Sequence, residues 1–194
     1  MSSPFSLRIF VADGDPDGLR IVERSNWIGK AVVFPRALLP KIKQREEFGQ
    51  TGVYLLIGPR EDGEGEMLYV GEGDPVRPRL ESHYAQKDFW TRAVFFVAGP
   101  GQLNKAHVQY LEAQLIQRAK ASKRMPLDNS NQPSEPSLSE ADAADMRVFL
   151  DSGWEYCYGP DIAPDGVKRG WSSNYFQNGN SSCRMAGQVW RMRG

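Results

Sequence analysis

The chain has 194 residues, with 24 basic and 24 acidic side chains and a formal net charge of zero. The length predicts one or two small domains, and a neutral total gives no argument for a nucleic-acid partner. No run of about eighteen or more apolar residues is present, and the N-terminus lacks the basic start and long apolar stretch of a secretory signal. Two cysteines, Cys157 and Cys183, are too few for a disulfide framework or a metal site of their own. We therefore expect a cytoplasmic protein with no membrane partner.

The N-terminal region is predicted to be rich in β-structure. Apolar stretches with strand-like alternation cover residues 6–12, 19–23 and 25–39. The first two predict a hairpin, because a turn-forming DGDPDG segment separates them. The third stretch ends near Pro35 or Pro40. Residues 1–47 are therefore expected to form a β-rich N-terminal extension.

Residues 52–71, GVYLLIGPREDGEGEMLYVG, place two tyrosines beside two glycines. The apolar segments 53–57 and 67–70 predict strands, and the acidic, glycine-rich segment between them predicts a hairpin loop. A helix is expected to follow this hairpin, because Asp74 can cap its N-terminus and Pro75 suits its first turn.

A buried strand and a long helix come next. Residues 91–99, TRAVFFVAG, are apolar on both faces, as in a central strand, and Asn104 can cap a helix over residues 105–122. After a proline- and serine-rich loop, residues 134–151 predict a linker and a short helix, SEADAADMRVFLD. Residues 152–194 contain no leucine and no persistent hydrophobic period. They predict an irregular segment, which is a loop-rich appendage, a disordered tail or non-native sequence such as a shifted reading frame.

The charges are unevenly distributed although their total is zero. Between Arg77 and Arg124 the chain has nine basic residues and three acidic ones, whereas acidic residues crowd at 13–17, 61–66 and 135–151. A basic middle flanked by acidic segments is compatible with a phosphate-binding face, and equally with an uneven surface that has no function.

One carboxylate falls on the apolar face of the long helix. At about 100° per residue, an apolar face about 140° wide is formed by Val108, Leu111, Leu115, Ile116 and Ala119. Glu112 lies within this face. An isolated buried carboxylate is very costly, so Glu112 must be paired, protonated or bound to a cation. It is therefore either one half of a salt bridge to a nearby arginine, or a metal ligand or catalytic acid.

The preceding helix carries a basic pair of side chains. Arg79 and His83 lie four residues apart and so project from one face of the helix. An arginine can hold a phosphate with two parallel hydrogen bonds, and a histidine can carry a proton near neutral pH. The alternative is a solvated helix face that happens to include a histidine.

These features occur in a defined order along the chain, namely Gly52-Val53-Tyr54, Tyr69-Val70-Gly71, Arg79 with His83, Glu112, and then Asn129 or Asn131. The order and spacing resemble the GIY-YIG nuclease family over roughly residues 48–133. The resemblance implies an α+β fold in which a small antiparallel three-stranded sheet is flanked by helices. It also implies a catalytic domain that hydrolyses DNA phosphodiester bonds as an endonuclease, with a single Mg²⁺ or Mn²⁺ ion. The residues before this domain are similar to N-terminal extensions found on some bacterial or phage-like members.

The resemblance further implies two roles in activating water and binding metal. Glu112 would be the one protein ligand of the metal, which suits magnesium because this ion commonly keeps several waters and binds substrate phosphate oxygens. Tyr54 would activate the attacking water, as a general base or within a proton relay. A free tyrosine has a pKa of about 10, so a phenolate at Tyr54 would need neighbouring positive charge.

The remaining motif residues would handle the phosphate and the shape of the pocket. Tyr69 would orient water or phosphate, and Arg79 would stabilise charge on the phosphate in the transition state. His83 would assist proton transfer or position the phosphate. An asparagine would order the pocket; Asn129 is favoured and Asn131 is the alternative.

Three features depart from the family pattern. The loop between the two motifs is long and acidic, Glu72 follows the second motif where many relatives carry a lysine or serine, and the asparagine lies further from Glu112 than usual. Glu72 could weaken phosphate contact or change how metal is bound. Two other functions therefore stay open: a nucleic-acid-binding module of the same fold without catalysis, and a protein-interaction domain.

Overall fold

The computed structural model describes residues 4–123, 125–129, 133, 135–157, 182–185 and 188–191. Within these residues the strands are β1 (Leu7–Val11), β2 (Arg20–Arg24), β3 (Gly29–Pro35), β4 (Gly52–Pro59), β5 (Glu66–Gly73), β6 (Arg92–Ala98), β7 (Ser182–Met185) and β8 (Gln188–Arg191). The α-helices are α1 (Leu39–Ile42), α2 (Val76–Gln86), α3 (Lys105–Ser122) and α4 (Glu140–Cys157), with 3₁₀ helices at Arg36–Leu38 and Glu46–Gly49. None of the described helices combines the length and apolarity needed to cross a membrane.

The main sheet is larger than the sequence predicts. The expectation of a small three-stranded sheet is wrong, because six antiparallel strands form one sheet in the order β1-β2-β3-β6-β4-β5. The physical reason is the pairing of β3 with β6 along the whole length of both strands. β6 is apolar on both faces and hydrogen-bonds a neighbour on each side. The N-terminal strands therefore continue the same sheet.

Helices cover both faces of this sheet. Residues alternate along β4, as strand geometry requires: Val53 and Leu55 pack with α3 and α4, whereas Tyr54 and Leu56 pack with α2. Phe48, from the 3₁₀ helix before β4, is fully buried on the α2 face. The result is a layered α+β architecture with a separate apolar cluster on each side of the sheet.

The two helix starts near β5 and β6 differ in how they are capped. At α3 the expected cap is confirmed, since the Asn104 side chain accepts a hydrogen bond from the backbone N–H of His107 at 2.9 Å. At α2 the expected cap is wrong. The first residue outside the helix is Pro75, and the Asp74 carboxylate instead accepts a hydrogen bond from the Thr51 hydroxyl. Asp74 thus ties the start of β4 to the end of β5.

The last long helix, α4, continues to Cys157, six residues beyond the predicted end at residue 151. It packs on the α3 face of the sheet through Phe149, whose ring centroid lies 5.4 Å from that of Trp27.

Of the segment predicted to be irregular, residues 158–181, 186–187 and 192–194 lie outside the described residues. Of its described residues, 152–157 belong to α4, and 182–185 and 188–191 form a separate two-stranded sheet of β7 and β8.

The packing of α4 predicts a difference between two adjacent residues. Phe149 is 3% exposed and contacts the core, whereas Val148 is 61% exposed. We expect Phe149→Ala to lower the free energy of unfolding by about 3–5 kcal/mol, because it leaves a cavity between α4 and the sheet. Val148→Ala should change it by less than about 0.5 kcal/mol. Urea unfolding checks both, and equal effects would contradict the packing of α4.

Candidate functional site

The two motif tyrosines lie on one face of the β4–β5 hairpin. Tyr54 is opposite Gly71 in the register, and Leu56 is opposite Tyr69, so the tyrosines are diagonal neighbours. Their ring centroids are 6.3 Å apart. A Cβ added at Gly71 would come within 2.3 Å of the Tyr54 hydroxyl. The glycine therefore allows the Tyr54 ring to lie directly against the backbone of the neighbouring strand.

The helix α2 brings a histidine to both tyrosines. The Nε2 atom of His83 lies 2.8 Å from the Tyr54 hydroxyl oxygen. The ring centroid of His83 is 5.6 Å from that of Tyr54 and 4.8 Å from that of Tyr69. Three predicted site residues from β4, β5 and α2 therefore form one aromatic cluster.

Burial fixes the protonation of this cluster. It raises the pKa of Tyr54 well above its ordinary value, with added effect from the neighbouring Tyr69. Burial also raises the pKa of Tyr69 and lowers the pKa of His83 to about 4, the latter with help from the positive charges of Lys87 and Arg79. At neutral pH Tyr54 is thus protonated and His83 is neutral. In the tautomer with its imidazole proton on Nδ1, His83 accepts a hydrogen bond from the Tyr54 hydroxyl at Nε2.

Two cations stand beside the aromatic cluster. Arg79 is exposed and makes no hydrogen bond or ion pair with any described residue. The Lys87 ammonium lies 4.7 Å from the Tyr69 ring centroid and 2.5 Å from a carboxylate oxygen of Asp128. Arg79 is therefore the cation whose guanidinium is available to an anion, while Lys87 is already paired.

Glu112 approaches from the opposite face of the sheet. It lies half-buried on α3, and burial raises the pKa of its carboxyl from 4.5 to about 7, with the negative charge of Glu72 adding to the effect. In the described part of the chain, no basic group lies within 4.0 Å of this carboxylate. The salt bridge considered from the sequence is therefore not formed there. A carboxylate in this position is left to be protonated or to bind a cation.

Glu72 is a residue of this site that the sequence analysis treated only as a departure from a pattern. It is 7% exposed and faces α3, because it is opposite Val53 in the register of β4 and β5. Its Oε1 atom accepts a hydrogen bond from Lys105 at 2.5 Å. The alternation along β5 was the signal that could have placed Glu72 on the same side of the sheet as Glu112.

Groups from the two faces meet because β5 is the last strand of the sheet. The negative charge of Glu112 reaches both motif tyrosines, whose pKa it helps to raise beyond the effect of burial. Burial has the largest effect and raises the pKa of both Tyr54 and Glu112, whereas the positive charge of Arg79 lowers both pKa values. The free edge of β5 is therefore where the tyrosines, the arginine and the glutamate come together.

Asn129 is placed against this edge as a backbone partner. Its side-chain oxygen accepts from the N–H of Val70 at 3.0 Å, and its amide group donates to the C=O of Val70 at 2.8 Å. Leu127 forms a parallel bridge with Leu68 just before it. Asn129 therefore holds the strand segment next to Tyr69 and does not enter the aromatic cluster. The alternative residue, Asn131, lies outside the described residues.

The donors at this edge suit a hard divalent cation bound by few protein ligands. Over the described ranges, no group of three or more His, Cys, Asp or Glu side chains is arranged to hold a metal. Magnesium, however, commonly binds through one or two carboxylates together with water and substrate phosphate. The half-buried Glu112 carboxylate, which has no ion pair within 4.0 Å among the described residues, fits that requirement.

Comparisons with protein-family models, curated proteins and solved structures find no match for this chain. A function for this chain is therefore inferred from the side chains that lie next to β5.

The raised pKa of Glu112 predicts a pH-dependent stability. Because the folded-state pKa of about 7 exceeds the ordinary 4.5, the folded state holds this proton more tightly. The associated stability is complete below about pH 4.5 and is lost as the pH rises through 7. Glu112→Gln mimics the protonated acid, so we expect its stability relative to wild type to improve between pH 5 and pH 8.

The measurement is urea unfolding at both pH values in the presence of EDTA. Glu61→Gln, which removes an exposed carboxylate from the β4–β5 loop, is the matched control. We expect its difference from wild type to be the same at both pH values. If the stability difference between Glu112→Gln and wild type is the same at pH 5 and pH 8, the Glu112 carboxylate is not buried as described.

Proposed function

We propose that this protein is a divalent-metal-dependent endonuclease that hydrolyses DNA phosphodiester bonds, in the manner of the GIY-YIG nucleases. The observation that carries the proposal is the 2.8 Å hydrogen bond between Tyr54 and His83 beside Arg79, which has no ion pair with any described residue. Tyr69 and Glu112 lie at the same strand edge. These residues come from four elements that are far apart in sequence, and the fold places them next to β5.

Water activation in this proposal is a proton relay. Tyr54 takes up a proton from the attacking water as it passes its own proton to Nε2 of His83. Burial opposes a stable Tyr54 phenolate, since it raises the pKa of the hydroxyl. The neutral His83, whose pKa is lowered to about 4 chiefly by burial, has a proton-accepting nitrogen throughout the neutral range. The negative charge of a bound phosphate would raise this low pKa and make His83 a stronger base. The relay is therefore favoured over a tyrosinate base.

The phosphate is bound from the α2 side of the edge. Arg79 is exposed and can offer two parallel N–H groups to phosphate oxygens, where they stabilise the charge that develops in the transition state. Tyr69, beside Lys87, orients the water or the phosphate. Asn129 contributes indirectly, by fixing the backbone at Val70.

The metal belongs on the α3 side of the edge. Glu112 would hold Mg²⁺ or Mn²⁺, because its carboxylate is a hard oxygen ligand without a counter-ion in the described residues. When bound, the cation would supply positive charge for the phosphate oxygens as the ester bond breaks. DNA is the proposed partner, no membrane partner is proposed, and a cytoplasmic location stays a prediction.

The function is tested by plasmid cleavage. We expect wild-type protein to nick or linearise supercoiled plasmid with Mg²⁺ or Mn²⁺ and not with EDTA. Glu112→Ala should abolish cleavage, whereas Glu61→Ala in the exposed loop should retain it. Cleavage that survives in Glu112→Ala would contradict the assignment of the metal ligand. Salt-sensitive DNA binding without any cleavage would favour the catalytically inactive binding module, and no DNA binding would favour a protein-interaction domain.

The relay predicts coupled effects of two substitutions. We expect Tyr54→Phe and His83→Ala each to lower kcat by about 10²–10⁴-fold, because either one interrupts proton transfer from water. The double variant should be little worse than the more impaired single variant, since residues that act as one unit are not additive. Tyr84→Phe, a neighbouring tyrosine on α2 that stacks near Trp90, is the control and should keep wild-type kcat. Additive losses would count against a shared proton path.

A further inference from the structure

Glu72 has a carboxylate oxygen for which the described residues provide no partner. The residue is 7% exposed, and its Oε2 atom is buried without a hydrogen bond. The other oxygen, Oε1, is bonded to Lys105, whose own side chain is 53% exposed. A buried carboxylate oxygen that makes no hydrogen bond destabilises the folded state. A cation or a hydrogen-bond donor at Oε2 would remove this cost.

A second ion pair on the same strand, between Glu66 and Arg92, provides a comparison with the Glu72–Lys105 pair. Glu66 also lies on β5, six residues before Glu72 and on the same face. Both of its oxygens are bonded to Arg92, at 2.5 and 2.8 Å, and its side chain is 39% exposed. Glu72 differs on both counts, because it is more deeply buried and only half satisfied.

The position of Lys105 relates Glu72 to Glu112. Lys105 and Glu112 are both on α3 and are seven residues apart, which is about two turns, so they lie along one stripe of the helix. Glu72 faces this helix from β5 and is held at the Lys105 end of the stripe. The two carboxylates are close enough for the charge of Glu72 to act on Glu112. Glu72 faces α3 from β5, and Glu112 lies half-buried on α3, so a cation between strand and helix would offset the repulsion of the two carboxylates.

We propose that Glu72 is a second carboxylate ligand of the divalent cation held by Glu112, and that Lys105 is its counter-ion when no cation is bound. The inference rests on the proposed function for the identity of the first ligand. A divalent cation offsets both negative charges and gives the free Oε2 atom a partner. Two carboxylates with water and phosphate form a usual magnesium site.

The test is Mn²⁺ binding without DNA, measured by calorimetry and by the electron paramagnetic resonance signal of free Mn²⁺. We expect Glu72→Gln to weaken the affinity for Mn²⁺ roughly tenfold or more, and Glu112→Gln to weaken it at least as much. Glu66→Gln is the matched control, because it removes an ion-paired carboxylate from the same face of the same strand. It should bind Mn²⁺ as the wild type does.

The Glu72→Asp variant distinguishes direct metal binding from a long-range effect of negative charge. It also provides a test of the inference if Glu72→Gln fails to fold. It keeps the negative charge and shortens the side chain by one methylene, so a direct ligand should lose Mn²⁺ affinity, whereas a distant charge should not. Wild-type affinity in Glu72→Asp, or in a folded Glu72→Gln, overturns the inference. If Glu112→Gln still loses Mn²⁺ in that case, the proposed function stands without it. If wild-type protein binds no Mn²⁺ at all without DNA, the inference is overturned, and metal-dependent plasmid cleavage decides the proposed function separately.

Discussion

Everything proposed for this protein depends on the position of β5 at the free end of the sheet. A β-sheet separates the side chains of its two faces, so groups from opposite faces can meet only around an edge strand. The tyrosines and His83 lie on the α2 side, and the two glutamates lie on the α3 side. The N-terminal strands add to the sheet next to β6, at the end away from β5. The sheet is thereby doubled in width while the edge used by the site stays open.

The chemistry of this edge follows from a balance between burial and charge. Burial alone makes a tyrosine keep its proton, a histidine lose its proton and a glutamate gain one. The cations Arg79 and Lys105 act on Glu112 in the opposite direction from burial. The site is therefore close to neutral internally although it is built from charged residues. Such a balance is easily shifted by a phosphodiester anion or a divalent cation, the substrate group and the cofactor of the proposed hydrolase.

Sequence reasoning was successful where the decisive interactions are local. The tyrosines of the β4–β5 hairpin fall on one face because strand periodicity fixes side-chain direction, and Asn104 caps α3 because the capping bond spans only three residues. It failed where partners are distant in sequence. The pairing of β3 with β6 leaves no local signature, since apolar residues on both faces show only that a strand has neighbours and not which ones. The Asp74 cap failed likewise, because Thr51, which directly precedes the adjacent strand, competes for its carboxylate.

Asn129 has a consequence that goes beyond the arrangement of the pocket. Its carboxamide bonds the N–H and the C=O of Val70 at once, as a peptide group of another strand would. Because Leu68 is bonded in the same way by Pro126 and Asp128, the outer side of β5 offers few free backbone groups to a second molecule. Exposed edge strands otherwise invite edge-to-edge association and aggregation. A side chain that imitates a peptide bond, together with the backbone of Pro126 and Asp128, therefore leaves less of this edge for a strand from another copy to pair with.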